Sequence, residues 1–120
     1  MDHDTPYFAH HRLDAYTVAK EALVAGEALA RRLPRGNAVL ADQLRRALLS
    51  ALLNVAEGAS RSGADRVARF RIARGEASEA AAALDAAHAL GLASQGEVRP
   101  VLTLLGRLYA MLTRLTKAAR

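Results

Sequence analysis

The sequence predicts an all-α fold, an up-down-up-down antiparallel four-helix bundle, on three observations. Apolar residues recur at the three-to-four spacing of an amphipathic helix in four successive segments. Only short stretches rich in Gly, Pro, Ser and Asn separate those segments, and loops that short join antiparallel neighbours. Hydrophobic residues make up 52% of the 120 residues while aromatics make up 4% and tryptophan is absent, so much of the apolar content is alanine, the strongest helix former. A chain of this length reads as one domain over residues 1–120, since two halves would each bury too small a core.

The first helix is expected over about residues 8–33, with Tyr16, Ala19, Leu23, Ala30 and Leu33 inward and Gly26 allowing a neighbour to come close. Pro34 and Gly36 in "LPRGN" end it. The second, over about 38–59, follows Asn37 as N-cap and faces the core with Leu40, Leu44, Leu48, Ala51 and Val55. "SRSGAD" separates it from the third, over about 65–91, where Asp65 suits the positive helix start and Phe70, Ala73, Ala77, Leu84 and Ala87 point inward. The fourth, over about 95–117, follows Ser94 and Glu97 at capping-box spacing and carries Val98, Val101, Leu105, Leu108, Leu112 and Leu115. Pro100 leaves two starts open: a helix from the box with the proline past its first turn, or regular helix from nearer Arg99.

Two helices are apolar over more of their circumference than a monomeric bundle requires. Leu49, Leu53 and Ala56 lie off the core face of the second helix, and Leu104, Leu108 and Met111 widen the stripe of the fourth. The expected explanation is a homo-oligomer interface formed by Leu49, Leu53, Leu104, Leu108 and Met111. The competing one is cover by the N-terminal arm "YFAHHRL". Within "LLNVAEGASRSG", Asn54 and Glu57 flank the apolar face, which suggests a structural polar clasp of Asn54, Glu57, Gly58 and Glu79. In it Glu57 receives an arginine of the third helix, Asn54 bonds across the bundle or to loop backbone, and Gly58 permits close approach.

Several chemistries lack their residues. Without cysteine there are no disulfides, thiolate metal sites or cysteine nucleophiles. A dimetal bundle site needs two Glu-x-x-His pairs with further glutamates, and Asp85 with His88 is half of one distant cousin; His10 and His11 diverge if helical, and His3 lies near the terminus. "GASRSG" has neither the spacing nor the lysine of a phosphate loop, and no serine elbow is present. The expectation is a non-enzymatic protein with no metal or cofactor. "MDHDTPYFAHHRLD" does not read as a secretory signal, and charges interrupt every long apolar run, so a cytoplasmic protein without membrane attachment is expected.

The net charge is +5, with fifteen arginines to two lysines, and planar guanidinium groups suit phosphate and carboxylate. Arg45 and Arg46 lie on the second helix; Arg61, Arg66, Arg69, Arg71 and Arg74 follow with Asp65 as the only acid among them. The angular spread of Arg66, Arg69, Arg71 and Arg74, roughly 200° from Arg71 round to Arg69 at 100° per residue, is too wide for one stripe. Two readings stay open: phosphate contact with RNA or DNA, or ion pairs with Asp42, Glu57, Glu76 and Glu79 in a scaffold whose partner is a protein. No exposed aromatics interleave with these arginines, so base stacking is not expected and binding would be phosphate-driven and salt-sensitive.

"LADQLRRALLSALLNVAEGASR" followed by "RFRIARGEASEAAAALDAA" resembles the bacterial four helix bundle protein family, which includes proteins encoded within intervening sequences of large-subunit ribosomal RNA genes. The resemblance rests on Gln43 to Ala47, Ser50, Asn54, Ala56 to Gly58, Arg61, Phe70, Ala73, Gly75 and Glu79, with Pro34 and the closing "GRLYAMLTRLTKAAR". It implies an up-down bundle assembled into rings, commonly pentamers, and kinship with the basic, nucleic-acid-binding accessory protein of diversity-generating retroelements. Glu76 stands where the family usually has serine.

Overall fold

In a computed structural model, which describes residues 8–118, the chain is all-α, with four helices, a short 3-10 turn and no strand among the described residues. The helices are α1 (Asp14–Arg32), α2 (Ala38–Ala59), α3 (Gly63–Ala89) and α4 (Gln95–Ala118), preceded by the 3-10 turn Ala9–Arg12. His3 lies outside the described residues.

The first expected helix is therefore divided. Leu13 is extended (φ −91°, ψ 127°), and α1 begins after it. Ahead of the break, the Phe8 amide donates to His11 Nδ1 at 3.2 Å, and His10 packs on Tyr16 with ring centroids 4.5 Å apart. A continuous helix would carry the arm away from α1; the break folds it back so its rings stack. His10 and His11 consequently converge, with centroids 4.4 Å apart, instead of diverging.

The other boundaries have local causes. Leu33 is extended (ψ 139°), as its position before proline requires. Asn37 occupies the N-cap position of α2, but its side chain turns back and donates to the Pro34 carbonyl at 2.9 Å. α3 starts two residues ahead of Asp65, which lies in its first turn. It ends in a Schellman motif: Gly91 (φ 74°) donates to His88 O and Leu92 to Ala87 O at 2.8 Å, satisfying carbonyls that the helix end leaves open. The capping box forms in full, Ser94 N–H to Glu97 Oε1 at 2.9 Å and Glu97 N–H to Ser94 Oγ at 3.2 Å. The helix thus begins at the box, and Pro100 lies inside it.

Each helix packs on two others: α1 and α3 both touch α2 and α4, while the diagonal pairs do not come within 8 Å between Cα atoms. One core runs down the middle, with Phe70, Leu84, Leu108 and Leu112 completely buried. On α1, Ala19 and Ala30 are buried as expected, but the centre of the buried face lies to one side of the expected one. Ala15, Val18, Ala22 and Leu29 are buried, while Tyr16, Leu23 and Leu33 are half-buried on the rim. Small side chains on that face let the helix sit deep, displacing the large ones to its edges. Two glycines set the closest approaches: a Cβ on Gly26 would collide with Leu48 Cδ1, and one on Gly58 would stand 2.6 Å from Cδ1 and Cε1 of Phe70.

Candidate nucleic-acid interface

The seven arginines fall into distinct environments. Arg45 is tied to carboxylates: its Nε donates to Glu27 Oε2 at 2.7 Å, across the α1–α2 boundary, and Nη1 lies 3.6 Å from Asp42. The hydrogen bond from Arg45, helped by that from Arg31, holds the Glu27 carboxyl below its usual range, and Glu27 in turn raises the Arg45 guanidinium. Arg61 joins Asp65 at 2.8 Å and Glu57 at 3.5 Å, and Asp65 is its main raising influence. Arg69 shares Asp65 more distantly, at 4.0 Å.

Arg66 plays a structural part. Its Nη1 donates to the carbonyls of Gly58 and Ala59 at 3.4 Å each, and its guanidinium lies 4.9 Å from the Phe70 ring centre. Those are carbonyls of the last turn of α2, beyond the reach of its own i to i+4 bonds; Gly58 O also accepts from the Arg61 N–H at 3.2 Å, and Arg66 adds a link from α3 to the end of α2.

The polar clasp is not built as expected. Asn54 bonds within α2, donating to Ser50 O at 2.9 Å and Ser50 Oγ at 3.2 Å, not across the bundle. Glu57 does receive an arginine, but from the loop residue Arg61 at helical i,i+4 spacing. Glu79 stands apart, beside Glu76 on α3; hydrogen bonding and repulsion from Glu76 raise its pKa, and Arg46 across on α2 opposes the rise. Gly58 fits its expected role, since the Phe70 ring occupies the space a Cβ would take. An asparagine amide so close to a serine four residues back finds a partner locally, without a cross-bundle one.

Arg46, Arg71 and Arg74 remain. Among the described residues none has a carboxylate within 4.0 Å. Arg46 and Arg71 are exposed. Arg74 is half-buried, donates to Thr113 Oγ1 at 3.3 Å and lies 5.6 Å from the centre of the Tyr109 ring. Tyr109 is itself 46% exposed, so an aromatic ring does stand at the surface beside an arginine, contrary to the sequence expectation. Only α3–α4 packing reveals it, because the two residues are 35 positions apart. After Glu97, α4 contains no acid, while it carries Arg99, Arg107, Arg114 and Lys117.

The expected interface leucines also separate. Leu49 and Leu53 are exposed, at 46% and 54%. Leu104 and Met111 are partly buried against the core. Leu108 is 0% exposed; it belongs to the chain's own core and has no surface to offer a second copy. The arm contributes partial cover, with Phe8, Ala9 and His10 lining one groove with Leu53, Ala56 and Glu57.

Among the described residues no group of three or more His, Asp or Glu side chains is placed to hold a metal. His88 Nδ1 donates to the Ala93 carbonyl at 3.1 Å, bracing the α3–α4 loop. No described helix is long and apolar enough to cross a membrane.

None of the curated proteins compared with the chain matches it. A protein-family model does, described as "23S rRNA-intervening sequence protein", over residues 11–114. The match takes in α1, α2 and α3 whole and most of α4, including both close-approach glycines and the Arg74–Tyr109 contact. A match that spans all four helices places this chain in the 23S rRNA-intervening sequence protein family.

Proposed function

We propose that this protein is a non-enzymatic, cytoplasmic, homo-oligomeric bundle of up-down-up-down antiparallel topology whose basic surface contacts RNA or another nucleic acid through phosphate. The observation that carries this reading is that, among the described residues, Arg46, Arg71 and Arg74 have no carboxylate within 4.0 Å, together with an α4 that has no acid between Val98 and Lys117. A basic face left unneutralised attracts polyanions and releases counterions when it binds them. The antiparallel topology is supported by Glu27 late in α1 meeting Arg45 early in α2, Gly58 at the end of α2 meeting Phe70, and Arg32 at the end of α1 facing Glu97 at the start of α4. Exposed Leu49 and Leu53 support assembly with further copies; a five-membered ring is what the family resemblance suggests.

The alternative, a scaffold for a protein partner, is favoured by Arg45, Arg61 and Arg69, whose charges are taken up by Glu27, Asp42, Glu57 and Asp65. Fluorescence anisotropy with labelled RNA and DNA decides between them. At about 50 mM salt the nucleic-acid reading expects binding that weakens steeply toward 200 mM. Absence of binding to either polymer at low salt refutes it.

A further inference from the structure

Among the described residues, Arg71, Arg74 and Lys117 have no carboxylate within 4.0 Å and lie on α3 and α4. Arg74 stands at the α3–α4 seam, anchored on the Thr113 hydroxyl, which itself donates to the Tyr109 carbonyl at 2.9 Å. This anchoring uses one of the five N–H groups of a guanidinium, and no carboxylate takes the others. Arg71 lies one turn back on α3 and Lys117 one turn on along α4. Because Arg74 meets Thr113 and Ser78 meets Gly106, that step brings Arg71 and Lys117 to the same level on the same edge. On the other side of Tyr109 the seam is a shallow groove lined by Ala77, Ala81 and Gly106, with Ser78 of α3 and Leu102 and Leu105 of α4 completing its walls. Its volume is about 190 Å3, below the roughly 300–1,000 Å3 of small-molecule pockets.

Three of the four acids of α3 lie elsewhere, and the fourth, Asp85, follows one turn beyond Ala81, at the end of the seam away from Arg71 and Lys117. Asp65, Glu76 and Glu79 point toward the α2 side, where Arg61, Arg69 and Arg46 answer them. The α3–α4 seam from Arg71 to Ala81 and from Leu102 to Lys117 contains no acid apart from that Glu76 and Glu79 pair.

We propose that this seam is a single-strand nucleic-acid site, in which an unpaired base lies against Tyr109 in the groove while Arg71, Arg74 and Lys117 hold the flanking phosphates. The proposal rests on the nucleic-acid reading above and narrows it to single strands. A duplex keeps its bases stacked inside and offers only its backbone. An exposed ring backed by a guanidinium serves the face of an unstacked base, and such platforms with a cationic track are how single strands are held without sequence preference. Glycine and alanine along the groove leave room for a flat base to lie against the ring.

The test uses the full-length protein, a fluorescein-labelled twelve-nucleotide RNA of mixed sequence, and the same strand annealed to its complement. The single strand is expected to bind more tightly than the duplex. Tyr109→Ala is expected to weaken single-strand binding by at least about fivefold and leave duplex binding unchanged, while Tyr109→Phe retains it. Arg71→Gln and Lys117→Gln each lower the salt dependence for the single strand by about 0.7 in slope. If Tyr109→Ala does not fold, wild-type protein crosslinked by light to RNA carrying 5-iodouridine reports instead, with Tyr109 as the expected adduct. Undiminished single-strand binding by folded Tyr109→Ala, preference for the duplex, or crosslinks only at other residues overturns the single-strand site. Failure to bind either probe sinks the nucleic-acid reading itself.

Discussion

Replacing Gly58 with alanine tests one of the two closest approaches in the bundle. The added Cβ stands 2.6 Å from Cδ1 and Cε1 of Phe70 and 3.2 Å from its Cζ, whereas carbon atoms pack at about 3.5–4.0 Å. The ring must recede by about 1 Å, yet Phe70 is 0% exposed and enclosed on every side. Overpacking of this kind costs about 1–3 kcal/mol, and overlap with two ring atoms at once places it in the upper half of that range. Exchange of glycine for alanine in a helix returns about 1 kcal/mol. The net expectation is a loss of about 1–2 kcal/mol, a fall in Tm of about 5 °C or more for a chain of this size. Thermal unfolding followed by circular dichroism reads it, at one fixed protein concentration because assembly shifts Tm. Gly75→Ala is the control: no atom outside its own helix lies within 4 Å of the new Cβ, so this variant is expected to gain about 0.5–1 kcal/mol. In a Phe70→Leu background the cost of Gly58→Ala should shrink, a coupling that a double-mutant cycle measures. Gly58→Ala as stable as Gly75→Ala would refute the close-approach account.

Three further outcomes follow from other parts of the molecule. Ser94→Ala removes half of the capping box and is expected to cost about 1 kcal/mol in urea unfolding, with m unchanged. Glu79 has its pKa raised chiefly by Glu76, so ionising it opposes folding as pH rises through the carboxylate range. Glu76→Gln should therefore raise Tm at pH 7, and the gain should fade as the pH falls and Glu79 takes up its proton; a gain that does not change with pH counts against the pairing. Leu49→Glu with Leu53→Glu should yield a folded protein of smaller size by light scattering, whereas Leu108→Ala should cost about 2–5 kcal/mol of stability as a core deletion. A double variant that keeps the wild-type mass removes α2 from the assembly interface.

The helices themselves were legible because their signals are local. The apolar faces of α3 and α4, the Ser94–Glu97 box and the stop at Pro34 each depend on residues within a few positions of one another. Gly26 and Gly58 were readable as close-approach positions, though not which side chain fills each. The division at Leu13 was not legible, because "FAHHRLDAY" suits a helix by periodicity and is turned aside by ring packing between His10 and Tyr16. The α1 face misled for a related reason: alanine favours a helix but marks its buried side weakly, and depth in the core follows from how near a neighbour can come.

The functional residues divide along the same line. Sequence alone determined a four-helix chain with a surplus of arginine and placed it by its motifs near its family. It could also offer Glu57 as an arginine's partner, which Arg61 fills from four residues on. Tertiary structure alone decided that Arg45 belongs to Glu27, 18 residues earlier, and that Arg74 rests on Thr113, 39 residues later, beside an exposed Tyr109. Whether a charge is spent or open depends on what the next helix brings within about 4 Å of it, and periodicity carries no information about the register between two helices.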